Sequence, residues 1–445
     1  MTGGDPVTGG VGRTGRVPRA GRAVRARLGD LARRIDDATP PHRDRAVDAL
    51  RALAIAGVIG GHWLVTALVA GPGPLTHGQG GGTVLRDDSP LASMPDLTPV
   101  SWVFQTLAVF FLVGGYSAAR GYRGGYGNWL RRRLARLARP VAVLAAVWIP
   151  VTAGLCLAGV PAATVRTLLT LVIDPLWFLG VYAALTALTP VGIRLVRRLG
   201  TAAAAVPAAV VAAADLVRFG LHGPGWVGWV NLPAGWLVPY LLGIAWAIGS
   251  IGPAGSPRAR RTPALLLAGG AAATAALVAW GGYPASMVGV NGARISNLNP
   301  PTLAAVAFGV TQCGLALLLR GPLSRWMRRP AAWAVVATAN LSAMTLFLWH
   351  QTAFVAVCAA GLLAGRVPGL LTAPAGPSWI AERLAWLPAF AAVLAAAWLV
   401  LRRTERARPG TRRWPPRPRG RYARPPGSGP AVAAGVRTTQ PRRAR

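Results

Sequence analysis

Apolar segments long enough to cross a membrane recur along the whole chain. Hydrophobic residues occupy 53% of the 445 positions and charged residues only 14%, whereas a soluble domain carries about 25% charged residues. A helix needs roughly 20 apolar residues to cross the hydrocarbon core. The sequence therefore predicts an all-α, polytopic bundle of about ten transmembrane helices. The predicted spans are 47–70, 99–119, 140–159, 176–193, 200–217, 234–251, 263–282, 301–319, 341–363 and 384–401.

The arginines are distributed unevenly between these spans. With the N-terminus in the cytoplasm, 41 of the 48 basic residues fall on the cytoplasmic side, six on the other, and Arg51 inside the first span. Cytoplasmic segments are enriched in basic residues, so an even number of spans with both termini inside is expected. We therefore expect the net charge of +35 to interact with membrane lipid rather than with nucleic acid, because the arginines alternate with apolar spans.

Composition divides the chain into three parts. Residues 1–45 are rich in Gly and Arg and residues 404–445 in Pro and Arg, and neither segment can bury a core. Both are predicted to be disordered cytoplasmic tails that lie on anionic lipid, with a stretch at 20–38 able to form a short surface helix. Residues 46–403 form the transmembrane domain. Two further apolar runs, 161–173 and 331–340, fit interfacial helices or extensions of spans.

The first span carries two residues that are costly in a bilayer. Arg51 and His62 lie eleven residues apart, which on a helix places them on one face about 16 Å apart. Asp48 precedes Arg51 by three residues and is positioned to pair with it. An ionisable side chain in a membrane costs at least about 2.5 kcal/mol. Taken singly, Arg51 is explained by snorkelling and His62 by a hydrogen bond to a neighbouring helix. Three small residues that permit close approach flank His62: Gly57, Gly60 and Gly61.

The R-x10-H motif inside DALRALA (48–54) resembles the first helix of the acyltransferase 3 family of bacterial integral membrane proteins. Further segments resemble family elements in the same order, and the resemblance covers about residues 45–402. These segments are FFLVGGYSAARGY (110–122), RRRLARLARP (131–140), PLWFLGVYAAL (175–185), NLNPPTLA (297–304) and NLSAMTLFLWHQTAF (340–354).

The resemblance implies a multi-pass protein of the bacterial cell membrane that transfers an acyl group from acyl-CoA to a hydroxyl. The acceptor would be a sugar, a polysaccharide or a polyketide, as in O-acetylation of the cell envelope. His62 and Arg51 would be catalytic. Imidazole can deprotonate a hydroxyl or carry the acyl group itself, and the residues leave both roles open.

Further candidates follow from the same resemblance. Arg133 and Arg136, with Arg139 just beyond, would bind the phosphates of acyl-CoA, since a planar guanidinium grips phosphate oxygens in pairs. Positive-inside charge explains the same arginines without a ligand. His350 would orient the acceptor, stabilise an oxyanion or act as a structural hydrogen-bonding group. Asp174 is a candidate to orient a histidine.

Other polar residues carry weaker expectations. Asp215 is expected to face water. The Gly-rich loops 71–98 and 283–300 would shape an acceptor pocket, although their acids, Asp87, Asp88 and Asp96, suit solvated positions as well as sugar hydroxyls. The three cysteines lie in apolar runs without metal-ligand spacing, and no metal cofactor is expected.

Two other functions fit parts of the pattern. A multi-pass transporter or exporter of a small solute or an envelope precursor would also have ten spans and a buried histidine, but no internal repeat is visible and acids are sparse in the spans. A non-catalytic scaffold leaves Arg51 and His62 without an explanation.

Overall fold

Helices dominate the architecture. The computed structural model describes residues 19–41, 43–72, 83–252, 255–290 and 292–405, and in these the chain forms sixteen α-helices and one two-stranded hairpin. The helices are α1 (Arg19–Asp37), α2 (Arg45–Val65), α3 (Pro90–Ser93), α4 (Ser101–Phe104), α5 (Leu107–Gly121), α6 (Tyr126–Leu157), α7 (Ala162–Ile173), α8 (Leu176–Ala187), α9 (Thr189–Leu199), α10 (Ala205–Asp215), α11 (Asn231–Ala247), α12 (Pro257–Ala279), α13 (Leu303–Trp326), α14 (Pro330–Leu341), α15 (Ala343–Leu362) and α16 (Pro377–Glu405). The strands are β1 (Ala67–Pro72) and β2 (Thr83–Asp88).

Ten helical stretches of the described chain are long and apolar enough to cross a membrane. Each predicted span overlaps a different one of them, which confirms the all-α polytopic bundle. The stretches are Arg45–Val65, Pro95–Gly121, Tyr126–Leu157, Ala162–Ala187, Thr189–Gly220, Gly225–Ala247, Pro257–Ala279, Leu303–Trp326, Ala343–Leu362 and Pro377–Arg402.

The first span ends earlier than predicted. Helix α2 stops at Val65 rather than at residue 70, because Thr66 adopts an extended conformation and its N–H donates to the carbonyl of His62. The chain then enters β1, which pairs antiparallel with β2 from Ala67↔Asp88 to Pro72↔Thr83. These ladder bonds satisfy the backbone of an apolar segment, and hydropathy alone does not distinguish such a strand from a helix.

The third span begins earlier than predicted. Helix α6 starts at Tyr126 rather than at residue 140, so the arginine-rich segment 131–139 forms its first turns. Arg, Leu and Ala are strong helix formers, and polarity therefore does not end the helix here. The apolar run 161–173 forms α7, which belongs to the fourth span, and 331–340 forms most of the short helix α14.

The second span is interrupted beside the first. Gln105 and Thr106 separate α4 from α5 and belong to neither helix. The Thr106 hydroxyl donates to the carbonyl of Ala54 at 2.7 Å, and Gln312 donates to the carbonyl of Gln105. A Cβ added at Gly57 would lie 2.5 Å from Thr106 Oγ1. Because Gly57 has no side chain, the interruption between α4 and α5 can lie directly against α2.

Helices α5 and α11 pack with their backbones in contact. A Cβ added at Gly115 would lie 2.0 Å from the carbonyl oxygen of Tyr240, and one added at Gly243 would lie 1.9 Å from that of Leu112. Only glycine fits such an approach. This contact lies in the buried centre of the bundle, where Tyr240 and Leu112 are fully enclosed.

The predicted surface helix at 20–38 is observed as α1, which packs against α14. Arg45 at the start of α2 forms a 2.5 Å ion pair with Asp36 of α1, and Trp333 of α14 donates to the hydroxyl of Thr39 at 2.7 Å. These contacts attach α1 to the first span. Residues 1–18 of the predicted N-terminal tail and 406–445 of the predicted C-terminal tail lie outside the described residues.

Candidate active site

A cavity of about 560 Å³ lies where several interrupted elements meet. The end of α2, the break in the second span, the α7–α8 junction, β2 and α15 all contribute to its wall, together with the loop 288–299. Its polar lining includes His62, Gln105, Asp174 and Gln351. The predicted pocket-forming loops 71–98 and 283–300 both contribute residues to this wall.

His62 reaches the cavity from the last turn of α2. The sequence places it near the middle of a longer first span, so its position at the helix end follows from the early stop at Val65. The Gln351 carboxamide lies 3.3 Å from His62 Nδ1. The rings of His62 and His350 have centroids 5.0 Å apart and are inclined by 51°. One ring nitrogen of His62 is thus held by a neighbouring helix.

His350 is fully buried behind His62 and is not part of the cavity wall. Its Nδ1 lies 2.6 Å from the carbonyl of Phe347. A carbonyl only accepts, so Nδ1 carries the proton and donates it. Nε2 has no hydrogen-bond partner within the described chain. The carbonyl of His350 accepts from Trp63 Nε1 at 3.0 Å, which fastens α15 to α2 beside the two histidines.

Arg51 lies on the same uninterrupted helix as His62 and contacts three neighbours. It donates to Asp48 Oδ1 at 3.2 Å, which confirms the pairing expected from their spacing. It also donates to Ser117 Oγ of α5 at 2.7 Å and to Asn340 Oδ1 of α14 at 3.5 Å. Asn340 in turn donates to the carbonyl of Asp48 at 2.8 Å. Arg51 therefore joins three helices at the end of α2 opposite His62.

The three arginines of α6 differ in their surroundings. Arg133 donates to the carbonyl of Ser117 at 2.8 Å and lies over the Trp129 ring at 5.0 Å. Arg136 and Arg139 are exposed, and within the described ranges neither has a hydrogen-bond or ion-pair partner. The latter two guanidinium groups are open to a ligand, whereas Arg133 is committed to the protein.

Two aspartates have clear positions. Asp174 occupies the gap between α7 and α8 and lines the cavity with His62. Asp215 is 2% exposed, so the expectation that it faces water is wrong. It accepts from Asn231 Nδ2 at 2.8 Å, from the Tyr283 hydroxyl at 3.0 Å and from the backbone N–H of Leu303 at 2.8 Å. Burial, and secondarily the Asp215 charge, raises the pKa of Tyr283, which keeps this phenol a donor.

Several residues around the site were not singled out from the sequence as candidates for it. Ser117 links Arg51 to Arg133, and Gln105 lines the cavity from the break in the second span. Polar residues at the ends of short helices are a signal for such a break, but their partners lie on other helices and cannot be read from spacing.

The model of the family described as Acyltransferase domain matches residues 44–402. The chain belongs to the acyltransferase 3 family. The acyltransferase 3 match extends from Asp44, just before α2, to Arg402 in the last turn of α16. It includes the residues that line the cavity and the arginines of α6. This acyltransferase 3 protein is therefore a multi-pass membrane acyltransferase, consistent with transfer to a hydroxyl oxygen. No curated protein and no solved structure matches the chain.

Proposed function

We propose that the protein transfers an acyl group from acyl-CoA to a hydroxyl of a carbohydrate or secondary-metabolite acceptor in the cavity beside His62. The position of His62 carries the proposal. Among the described histidines, it is the one that lines the cavity, and a second side chain, Gln351, lies against its Nδ1. A general base requires an imidazole that is oriented by a contact at one ring nitrogen and whose other nitrogen is free to accept a proton.

The position of the proton on the His62 ring supports a role as general base. A carboxamide presents an oxygen or an NH₂ to its neighbour, and the two are distinguished only by the surrounding hydrogen bonds. With the Gln351 oxygen toward Nδ1, the ring carries its proton there and keeps a lone pair on Nε2. That lone pair takes the proton of the acceptor hydroxyl as its oxygen attacks the thioester carbonyl. The C–S bond then breaks, and the departing CoA thiolate takes the proton from the imidazolium.

His350 supports His62 without touching the substrate. Its proton is fixed on Nδ1 by Phe347, and its ring packs against that of His62. A buried ring with a defined tautomer limits the orientations that His62 can adopt. His350 is accordingly proposed as a positioning residue.

The donor is proposed to approach from the predicted cytoplasmic end. Arg136 and Arg139 offer exposed guanidinium groups there, and Arg133 and Arg51 meet at Ser117 beside them. Arg51 and His62 are about 16 Å apart along α2. The long pantetheine arm of CoA separates its phosphates from its thioester, which suits phosphate contacts at one end of α2 and chemistry at the other.

The test uses purified protein in nanodiscs with a panel of short acyl-CoA donors and a hydroxyl acceptor. His62→Ala is compared with wild type and with His222→Asn, a histidine outside the cavity whose backbone φ of 54° suits asparagine. We expect thioester loss to fall by about 100-fold or more in His62→Ala and to persist in His222→Asn. Equal turnover of wild type and His62→Ala contradicts the proposal. Absence of turnover with saturable solute binding would favour the transporter.

A further inference from the structure

We propose that the acceptor is a cation, a hydroxyl compound that also carries an amine, such as an amino sugar. This inference rests on the proposed function, because it names the class of acceptor that the cavity beside His62 binds. It is carried by the charge, the hydrogen-bonding capacity and the aromatic rings of the cavity wall.

The charge of the wall is opposite to that of the protein. Arginine outnumbers the acidic residues by 48 to 13, yet the cavity is lined by Asp87, Asp88 and Asp174 and by no arginine of the described chain. Asp88 accepts from the N–H of Ser89 at 2.7 Å. Neither Asp88 nor Asp174 forms an ion pair within the ranges that the structure describes. Asp88 and Asp174 share one cavity wall, and like charges there repel each other, which a bound cation offsets.

Two of the six arginines on the same predicted side of the membrane interact with residues away from the cavity. Arg218 lies 3.7 Å from Asp215. Arg383 is fully buried, and its guanidinium lies 4.6 Å from the centroid of the Trp379 ring. Neither side chain contributes to the cavity wall. These two arginines therefore do not balance the negative charge of the wall.

A buried carboxamide adds a hydrogen-bond acceptor. Gln105 is 4% exposed and lines the cavity, and its Oε1 has no hydrogen-bond partner among the described residues. A buried acceptor without a donor is costly. Carboxylates and the Gln105 carboxamide oxygen accept hydrogen bonds, so the matching ligand is rich in O–H and N–H donors.

Aromatic rings and the arrangement of the acids favour an organic cation. Phe104, Trp177, Phe178 and Phe347 also line the cavity, and the faces of such rings attract cations. The described residues contain no group of three or more His, Cys, Asp or Glu side chains that could hold a metal ion. An ammonium group on a polyhydroxyl compound satisfies the carboxylates, the carboxamide oxygen of Gln105 and the rings together.

The test compares two acceptors that share one ring and differ in charge. N,N-dimethylglucosamine is cationic at neutral pH and its tertiary amine forms no amide, whereas N-acetylglucosamine is neutral. With an acyl-CoA donor and the full chain in nanodiscs, we expect kcat/KM for ester formation to be roughly tenfold higher for the cationic sugar. The ratio should fall toward one in the Asp88→Asn/Asp174→Asn double variant and as ionic strength rises. Asp96→Asn, an exposed acid outside the cavity, should keep both the ratio and the basal activity.

The outcomes separate this inference from the proposed function. Equal use of the two sugars by an active wild type overturns the cationic acceptor and leaves acyl transfer intact, whereas His62-independent thioester loss overturns the proposed function. If neither sugar is acylated, saturation-transfer NMR compares their binding to the nanodisc protein. Preferential binding of the cationic sugar that the double variant loses supports the inference, and equal or absent binding of the two sugars overturns it.

Discussion

Arg51 donates a 2.7 Å hydrogen bond to the hydroxyl of Ser117. The carbonyl of the same serine accepts from Arg133 at 2.8 Å, so one residue of α5 joins an arginine of the first span to an arginine of the third. Hydrogen bonds to a charged donor are roughly twice as strong as neutral ones. The serine thus fixes the distance between two guanidinium groups at the proposed donor end of the site.

Replacing the serine hydroxyl should loosen Arg51. In Ser117→Ala the Arg133 contact to the backbone carbonyl persists, while Arg51 loses its shortest bond. We expect KM for acyl-CoA to rise roughly threefold to tenfold with a smaller change in kcat. Ser324→Ala, at a serine of α13 whose hydroxyl has no partner within the described residues, is the matched control. A change in kcat with KM unaltered would contradict a role at the donor end.

Gln351 should act through His62. Gln351→Met removes the group that holds Nδ1 and keeps a similar volume, and we expect kcat to fall by about tenfold to 100-fold with little change in either KM. Gln351→Glu keeps an acceptor at Nδ1 and should retain more activity than Gln351→Met. Steady-state kinetics of both variants test this ordering. Equal loss in the two variants would show that volume, not the contact to Nδ1, matters at this position.

The exposed arginines of α6 should bind the donor. Arg136→Gln/Arg139→Gln removes two charges and should raise KM for acyl-CoA by roughly fivefold to 20-fold, with an effect that weakens at high salt. Arg131→Gln/Arg132→Gln removes the same charge from the first turns of the same helix and serves as the control. Identical effects of the two double variants would indicate a general surface charge rather than a binding site.

The approach of the broken second span to α2 should depend on Gly57. In Gly57→Ala the new methyl meets Thr106 Oγ1 at 2.5 Å and Cγ2 at 2.6 Å, and we expect a loss of about 1–3 kcal/mol in stability. Adding Thr106→Ala removes both atoms and should restore part of the loss. Thermal unfolding in detergent measures the series. Gly180→Ala, where a methyl meets nothing within 4 Å, should be neutral or slightly stabilising; a loss at Gly180 as large as that at Gly57 would contradict the steric explanation.

Asp215 should hold the loop that borders the cavity. Its carboxylate accepts from Tyr283 in that loop and from the start of α13. Asp215→Asn removes one acceptor among these donors, and we expect a loss of about 1–3 kcal/mol with faster hydrogen exchange in residues 280–302. Asp37→Asn, at an exposed acid of α1, is the control. Unchanged exchange in that loop would argue against this role.

The features that the sequence predicts correctly are local in the chain. Ten spans follow from the length of apolar runs, and the Arg51–Asp48 pair follows from their spacing on a helix. The early end of α2 was not predicted, because the strand that replaces its last turns depends on pairing with β2. The packing of His350 against His62 and the contacts of Asp215 with Tyr283 and Leu303 join residues that lie far apart in the chain. Hydrophobic periodicity contains no information about such contacts.

Helix α6 has 32 residues, which corresponds to about 48 Å at 1.5 Å per residue. The hydrocarbon core is only about 30 Å thick, so this helix must tilt or extend beyond it. Its arginine-rich first turns would then stand among the lipid headgroups at a height set by the host bilayer. Lipid thickness thereby becomes a variable of the reaction: a thicker membrane straightens the helix and draws its charged end inward, and turnover should differ between short-chain and long-chain lipids.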